Sequence, residues 1–180
     1  MSGEGEAIKE AKDYPLSDGD IRRILGDDIK ILTYPDLGKM RSIDEAFDSK
    51  GRSIILYLTT GPTEGHWCCM LNKKKGIEFF DPYGEAPEEV KDSIPKSRLE
   101  ALDQDSPFLT KLLRASGKPV FYNKHQFQKE SKSVNTCGRW CVGRMLYAPK
   151  SLEYFKKVVD ESGETPDNFI TALTANFLGK

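Results

Sequence analysis

Hydrophobic and polar positions follow a helical spacing at both ends of the chain. Ser17 and Asp20 form a capping box ahead of apolar residues at helical spacing, which predicts a helix start. Ser42 and Glu45 form a second box, which predicts a short helix. The same spacing predicts helices within 87–116 and over 137–147, 152–161 and 166–178.

Strand-like patterns occupy the middle of the chain. The segments 53–60, 66–71 and 76–81 are apolar and rich in β-branched or aromatic residues, and a hairpin turn is predicted between the last two. Shorter segments at 29–32 and 119–127 also have strand character. We therefore predict an α+β fold with a central, mostly antiparallel sheet flanked by helices.

The length and composition fit one soluble domain. Of the 180 residues, 14–180 are assigned to a single domain, and residues 1–13, rich in Gly, Glu and Lys, are predicted to be a flexible N-terminal tail. No apolar run approaches the roughly 20 residues of a membrane span, and the start is no signal peptide. We expect an intracellular monomer without a membrane partner. The net charge of −1 argues against a strongly basic nucleic-acid footprint and leaves open a local patch at Lys73, Lys74 and Lys75.

His66 is the candidate catalytic histidine. It begins a predicted strand directly after a turn-like segment, and a side chain in that position is both rigidly held and exposed. Asp81 ends the next predicted strand. If these strands pair about Lys74, the two residues become cross-strand neighbours, and the carboxylate fixes one ring nitrogen while the other acts as a base. Alternatively, Asp81 only ends a strand before Pro82. The second histidine, His125, is interpreted as a surface residue.

Cys137 is the candidate nucleophile. It stands at the start of a predicted helix, where unpaired backbone N–H groups and the helix dipole favour the thiolate. Gly138 beside it lets a substrate backbone approach closely. The remaining cysteines are interpreted as structural core residues, because disulfides are not expected in an intracellular chain; they are Cys68, Cys69 and Cys141.

Acyl-transfer chemistry also needs a donor for the oxyanion that forms when a thiolate attacks a carbonyl group. Gln126 and Gln128 precede Cys137 by a short loop, and alternate residues of a strand point the same way. Either amide can supply this donor together with the backbone N–H of Cys137. The residues alone leave the choice open.

The order of these residues resembles that of the adenovirus-type maturation proteases, with GHW at 65–67, FDPYG at 80–84, a Gln, and TCG at 136–138. The same order marks proteases that process ubiquitin-like proteins. The segment NTCGRWC is most similar to the maturation proteases of virophages and polinton-like viruses, and the resemblance covers about residues 54–147. It implies that His66 is the base, Asp81 its orienting acid and Cys137 the nucleophile. The family's Gln lies near its Cys, so Gln128 is preferred as the oxyanion donor and Gln126 is the reserve.

The resemblance further implies an adenain-type or ubiquitin-like-protease-type fold, with the nucleophile at the N-terminus of a helix. It implies an endopeptidase of the virion and the host-cell cytoplasm, at the virus factory, that cleaves capsid precursor proteins after Gly-Gly-like sequences. A narrow cleft accounts for this preference, with Trp67 as a wall and Gly138 beside the substrate. Adenovirus-type enzymes are stimulated by a small peptide and by DNA, but the near-neutral charge supports neither. No cofactor and no metal are predicted.

Three other functions stay open. An isopeptidase of the deubiquitinase or deSUMOylase type shares the chemistry, and a Gly-Gly modifier tail suits the same cleft. A zinc-binding interaction module built from His66 and the cysteines is disfavoured, because Cys68 and Cys69 point to opposite faces of a strand and no CxxC pair is present. An inactive protease fold that only binds partners is disfavoured, because every chemical position is filled.

Overall fold

Three antiparallel strands form the centre of the computed structural model, which describes residues 3–178. They are β2 (Arg52–Gly61), β3 (Glu64–Lys73) and β4 (Gly76–Phe80), and β3 and β4 are joined by the predicted tight turn. These strands carry almost continuous apolar sequence because both faces of the sheet are covered. The α+β class predicted from the sequence is confirmed.

The edge strands correct the prediction of a mostly antiparallel sheet. β1 (Lys30–Thr33) lies parallel to β2, and β5 (Val120–Tyr122) lies parallel to β4, so the five-stranded sheet is mixed. Parallel neighbours need a crossover of about a dozen residues or more, and the segments 34–51 and 81–119 provide one each. Their lengths are visible in the sequence, but the direction in which each edge strand returns is not.

Helices cover both faces of the sheet. One core contains apolar residues of the helices Asp18–Leu25, Cys137–Leu146, Leu152–Glu161 and Pro166–Leu178. The other contains residues of the helix Phe108–Ser116 and of three 3₁₀ turns, at Tyr34–Lys39, Ile43–Ala46 and Glu89–Ser93. No helix within residues 3–178 is both long and apolar enough to cross a membrane. The seven α-helices in this part of the chain are α1 (Gly3–Asp13), α2 (Asp18–Leu25), α3 (Lys96–Ala101), α4 (Phe108–Ser116), α5 (Cys137–Leu146), α6 (Leu152–Glu161) and α7 (Pro166–Leu178).

Residues 3–13 of the segment predicted to be a flexible tail are helical, and residues 1 and 2 lie outside the described part of the chain. Residues Gly3–Asp13 form α1, which packs against α7 at the other end of the chain. The loop before Cys137 holds the C-terminal end of α1, because the backbone N–H of Asn135 donates to the carbonyl of Lys12 at 2.8 Å and its side-chain amide donates to the carbonyl of Asp13 at 3.0 Å. A helix with few buried side chains thus depends on partners far away in sequence.

Candidate active site

His66 is held near the turn that joins β2 to β3. It lies opposite Tyr57 in the antiparallel register, and its side chain is 10% exposed. Gly65 before it is required by close packing, because a Cβ atom there would overlap the backbone carbonyl of Tyr57. The close approach of β2 and β3 excludes a side chain at position 65, and it therefore fixes the backbone that carries the imidazole of His66.

Asp81 follows β4 and is fully buried. Its Oδ1 accepts a hydrogen bond from Nε2 of His66 at 2.9 Å and another from the backbone N–H of Tyr83 at 2.7 Å. The predicted contact between the two side chains is confirmed, although it is diagonal: the register pairs Cys69 with Phe80, so His66 lies two positions beyond the point opposite Asp81.

Asn123 holds the backbone of Asp81, a role that the sequence analysis missed. β5 ends at Tyr122, and the Asn123 side chain then continues the pairing: it accepts from the N–H of Asp81 at 3.0 Å and donates to the Asp81 carbonyl at 2.5 Å. This explains why the strand predicted to run to residue 127 stops early. An amide residue directly after a strand is the only sequence signal for the role.

Cys137 is the first residue of α5, as predicted. Among the described residues no side chain caps this helix start, so the N–H groups of its first turn are directed at the thiol and its surroundings. The backbone amides of Trp67 and Gly138 interact with Sγ. The thiol is 9% exposed and opens onto a cleft.

The electrostatics of this group favour an imidazolium–thiolate pair. Burial acts to raise the pKa of Cys137, but the hydrogen bond and charge of His66 and the two backbone amides outweigh it, so the thiol pKa lies below its ordinary value. Burial likewise acts to lower the pKa of His66. The thiols of Cys68 and Cys137 and the carboxylate of Asp81 outweigh this effect, so the imidazole pKa lies well above its ordinary value.

The cleft in front of Cys137 has a volume of about 360 Å³. Tyr83 forms one wall: its ring stacks on the imidazole of His66 at a centroid distance of 4.8 Å and an angle of 16°. Tyr83 was quoted in the motif without a role, and stacking on a histidine is not readable from sequence. Residues that line the cleft include Gly65, His66, Tyr83, Glu85, Gln128 and Cys137.

Gln128, and not Gln126, lines this cleft together with Cys137. Gln128 is buried, and its amide donates to the carbonyl of Val134 at 3.1 Å and to the Tyr83 hydroxyl at 3.3 Å. Its Oε1 is buried without a partner among the described residues. Gln126 is exposed and donates to the backbone carbonyl of Gln128.

Trp67 and Gly138, which were predicted to contact the substrate, are not among the residues that line this cleft. The indole of Trp67 is 6% exposed and lies under α5, where its Nε1 donates to the carbonyl of Leu16 at 3.2 Å. It points away from the cleft because it is next to His66 on β3 and therefore on the opposite face. A Cβ atom at Gly138 would meet the indole, so this glycine permits close packing of α5 on the sheet.

The other thiols divide between the two faces of β3. Cys69 and Cys141 are fully buried and contact each other's segments in the core under α5, which agrees with their structural interpretation. Cys68 lies on the other face beside His66 and Asp81, where burial and the Asp81 charge raise its thiol pKa well above the ordinary value. His125 is exposed, as predicted.

Comparison with known proteins yields one viral relative. No protein-family model matches the chain. The uncharacterized protein V9 of Sputnik virophage is 35% identical over 175 residues, which covers 93% of this chain and 99% of that protein. Among solved structures, the central domain of the uncharacterized Lpg1148 protein of Legionella pneumophila matches 92% of this chain and 99% of its own length, at 16% identity and a TM-score of 0.44.

Proposed function

Since the chain belongs to the same family as the virophage protein V9, we propose that it is a viral cysteine endopeptidase with an adenovirus-type protease fold. The observation that carries this proposal is the arrangement of three side chains: the Cys137 thiol at the start of α5, the His66 imidazole next to it, and Asp81 bonded to that ring at 2.9 Å. Nucleophilic cysteine catalysis needs this combination of an activated thiol, a base and an orienting acid.

The geometry supports a two-step acyl transfer. Asp81 holds the Nε2–H of His66, which leaves Nδ1 to face Cys137. The thiolate attacks the substrate carbonyl carbon, and the carbonyl electrons move to the oxygen, where the N–H groups at the start of α5 stabilise the oxyanion. The carbonyl re-forms as the C–N bond breaks, the Nδ1 proton passes to the leaving amine, and the acyl group stays on Sγ as a thioester. In the second step Nδ1 accepts a proton from water, and the resulting hydroxide attacks the thioester carbonyl. The C–S bond then breaks, which releases the acid product and restores the imidazolium–thiolate pair.

The proposed substrates are capsid precursor proteins, cleaved after Gly-rich sequences in the virion and at the virus factory in the host-cell cytoplasm. The support is the lining of the cleft in front of Cys137, which includes Gly65 and the ring of Tyr83 stacked on His66. A substrate without side chains next to the scissile bond can lie flat against such a ring. In this proposal Tyr83 forms the aromatic wall of the substrate cleft, a role that the sequence had predicted for Trp67.

The first prediction tests the nucleophile with a matched pair of cysteine variants. Cys137→Ala should lower the cleavage of a Gly-Gly peptide and of a capsid precursor by about 10⁴-fold or more, because no other group then forms the acyl intermediate. Cys141→Ala removes a buried thiol one turn along the same helix and should keep most of the activity. Undiminished cleavage by a folded Cys137→Ala variant contradicts the proposal.

Thiol alkylation makes this test independent of the choice of peptide. In metal-free buffer, iodoacetamide should label Cys137 before the three buried thiols, and at lower pH than free cysteine, because its lowered pKa preserves the thiolate. Equal labelling of Cys137 and Cys141 contradicts the assigned nucleophile. A ubiquitin-derived electrophile that reacts faster than a Gly-Gly peptide electrophile favours the isopeptidase instead.

A further inference from the structure

Cys68 takes no part in the chemistry proposed above, yet its thiol lies against the His66–Asp81 pair. A ring nitrogen of His66, Sγ of Cys68 and a carboxylate oxygen of Asp81 lie within 4.8 Å of one another. His66 and Cys68 reach this point because they are two residues apart on β3 and share a face of the strand. Asp81 meets them from the end of β4.

A second observation indicates that this group is chemically incomplete. Oδ2 of Asp81 is buried and has no hydrogen-bond partner among the described residues, although Oδ1 accepts two hydrogen bonds. A buried carboxylate oxygen without a donor is costly, and native proteins seldom leave one without a role. Here the unpaired oxygen belongs to a carboxylate that lies in one cluster with an imidazole and a thiol.

We propose that His66, Cys68 and Asp81 form a binding site for a thiophilic divalent cation, with Zn²⁺ as the probe, and that an ion bound there inactivates the protease. Imidazole nitrogen, thiolate sulfur and carboxylate oxygen are the donors of zinc sites, and three protein ligands leave a fourth position for water. Zinc bonds of about 2.0–2.3 Å separate tetrahedral donors by about 3.5 Å, so the widest separation must shorten by about 1 Å.

When Zn²⁺ enters the protein in its imidazolium–thiolate form, two protons leave the site. Nε2 of His66 releases its proton to solvent and gives the lone pair to zinc, and the thiol of Cys68 does the same. Asp81 supplies its charge and exchanges its bond to Nε2–H for a bond to the metal. Nδ1 keeps its proton towards Cys137, so neither ring nitrogen retains a lone pair with which to act as a base. The inactivation depends on the proposed function, whereas the binding does not.

The binding is best measured in the Cys137→Ala variant, which removes the nucleophile as a ligand. Equilibrium dialysis should give one Zn²⁺ per chain, and Co²⁺ should give a thiolate-to-metal charge-transfer absorption. Adding Cys68→Ala should weaken zinc binding by about tenfold or more and abolish that absorption. Adding Cys69→Ala, the neighbouring buried thiol on the opposite face of β3, should change neither.

Either of two results would overturn the proposal. One is the absence of the cobalt–thiolate absorption in folded Cys137→Ala, and the other is an equal weakening of zinc binding by the Cys68 and Cys69 substitutions. The cobalt measurement needs no further substitution, so it tests the metal site even if Cys68→Ala fails to fold. In the wild type, Zn²⁺ should block peptide cleavage until a chelator is added. If the wild type cleaves no peptide, the proposed function fails, but dialysis still tests the metal site.

Discussion

Two buried acid–base pairs have acids that are three residues apart, Glu78 on β4 and Asp81 directly after it. The two pairs differ in how fully their hydrogen bonds are satisfied. Glu78 on β4 accepts from Arg144 of α5 in bidentate fashion, at 2.7 and 3.1 Å, and from Lys73 at 3.2 Å. Arg144 also donates to two backbone carbonyls at 2.8 Å. Asp81, by contrast, has one oxygen with two hydrogen bonds and one with none among the described residues.

The difference separates a pair that holds the fold together from one that is available for chemistry. A buried ion pair is tolerated when its charges and hydrogen bonds are fully satisfied, as they are where α5 meets the sheet at Glu78. The His66–Asp81 pair leaves an oxygen unpaired and a ring nitrogen facing a thiol, which is typical of a site where protons move. This second pair contacts the opposite end of the same helix, at Cys137.

Among substitutions in these two pairs, Asp81→Asn should have the largest effect on catalysis. The asparagine oxygen can accept both hydrogen bonds that Oδ1 accepts now, from the N–H of Tyr83 and from Nε2 of His66, but the amide carries no charge and therefore no longer stabilises the imidazolium. We expect kcat/KM for peptide cleavage to fall by about 10²–10⁴-fold, with little change in urea stability. A variant that keeps wild-type activity would show that Asp81 only ends a strand.

Glu78→Gln should have the opposite profile. Because the change leaves the buried Arg144 cation without its partner, we expect a loss of about 3–5 kcal/mol in the free energy of unfolding, measured in urea. The alkylation rate of Cys137 in the folded fraction should be unchanged. The double variant Glu78→Leu/Arg144→Met removes both charges and should recover most of this stability. A stability loss below about 1 kcal/mol for Glu78→Gln would remove the contrast between the two pairs.

Much of the local structure was predictable because its causes are local. The capping boxes of Ser17 and of Ser42 form as predicted, and Gly117 ends α4 in the left-handed conformation at φ 66°. The central hairpin follows from apolar runs on either side of a polar turn. The helix predicted at Ser42 is a single 3₁₀ turn, because only four residues separate its two caps.

The features that sequence reasoning missed depend on contacts distant along the chain. The partner of Glu78 lies 66 residues away, and α1 packs on a helix at the other end of the protein. The candidate site shows the same division: the chemistry of Cys137 and His66 is readable from motifs, whereas the position of Cys68 depends on which face of β3 meets Asp81. Strand alternation puts His66 and Cys68 on one face, but only the structure shows the register of β3 and β4 that brings the Cys68 thiol close to Asp81.

The smallest of the expected effects concerns the two glutamines of the cleft region. The amide of Gln128 already donates to Val134 and Tyr83, so it stabilises an oxyanion only if one of these bonds is exchanged during the reaction. We therefore expect Gln128→Ala to lower kcat by about 10–100-fold, below the loss usual for a dedicated oxyanion donor. Gln126→Ala, the exposed control, should leave kcat unchanged. A Gln128→Ala variant that loses stability but keeps its kcat per folded molecule would show that Gln128, like Glu78, only stabilises the fold. The N–H groups at the start of α5 would then be sufficient to stabilise the oxyanion.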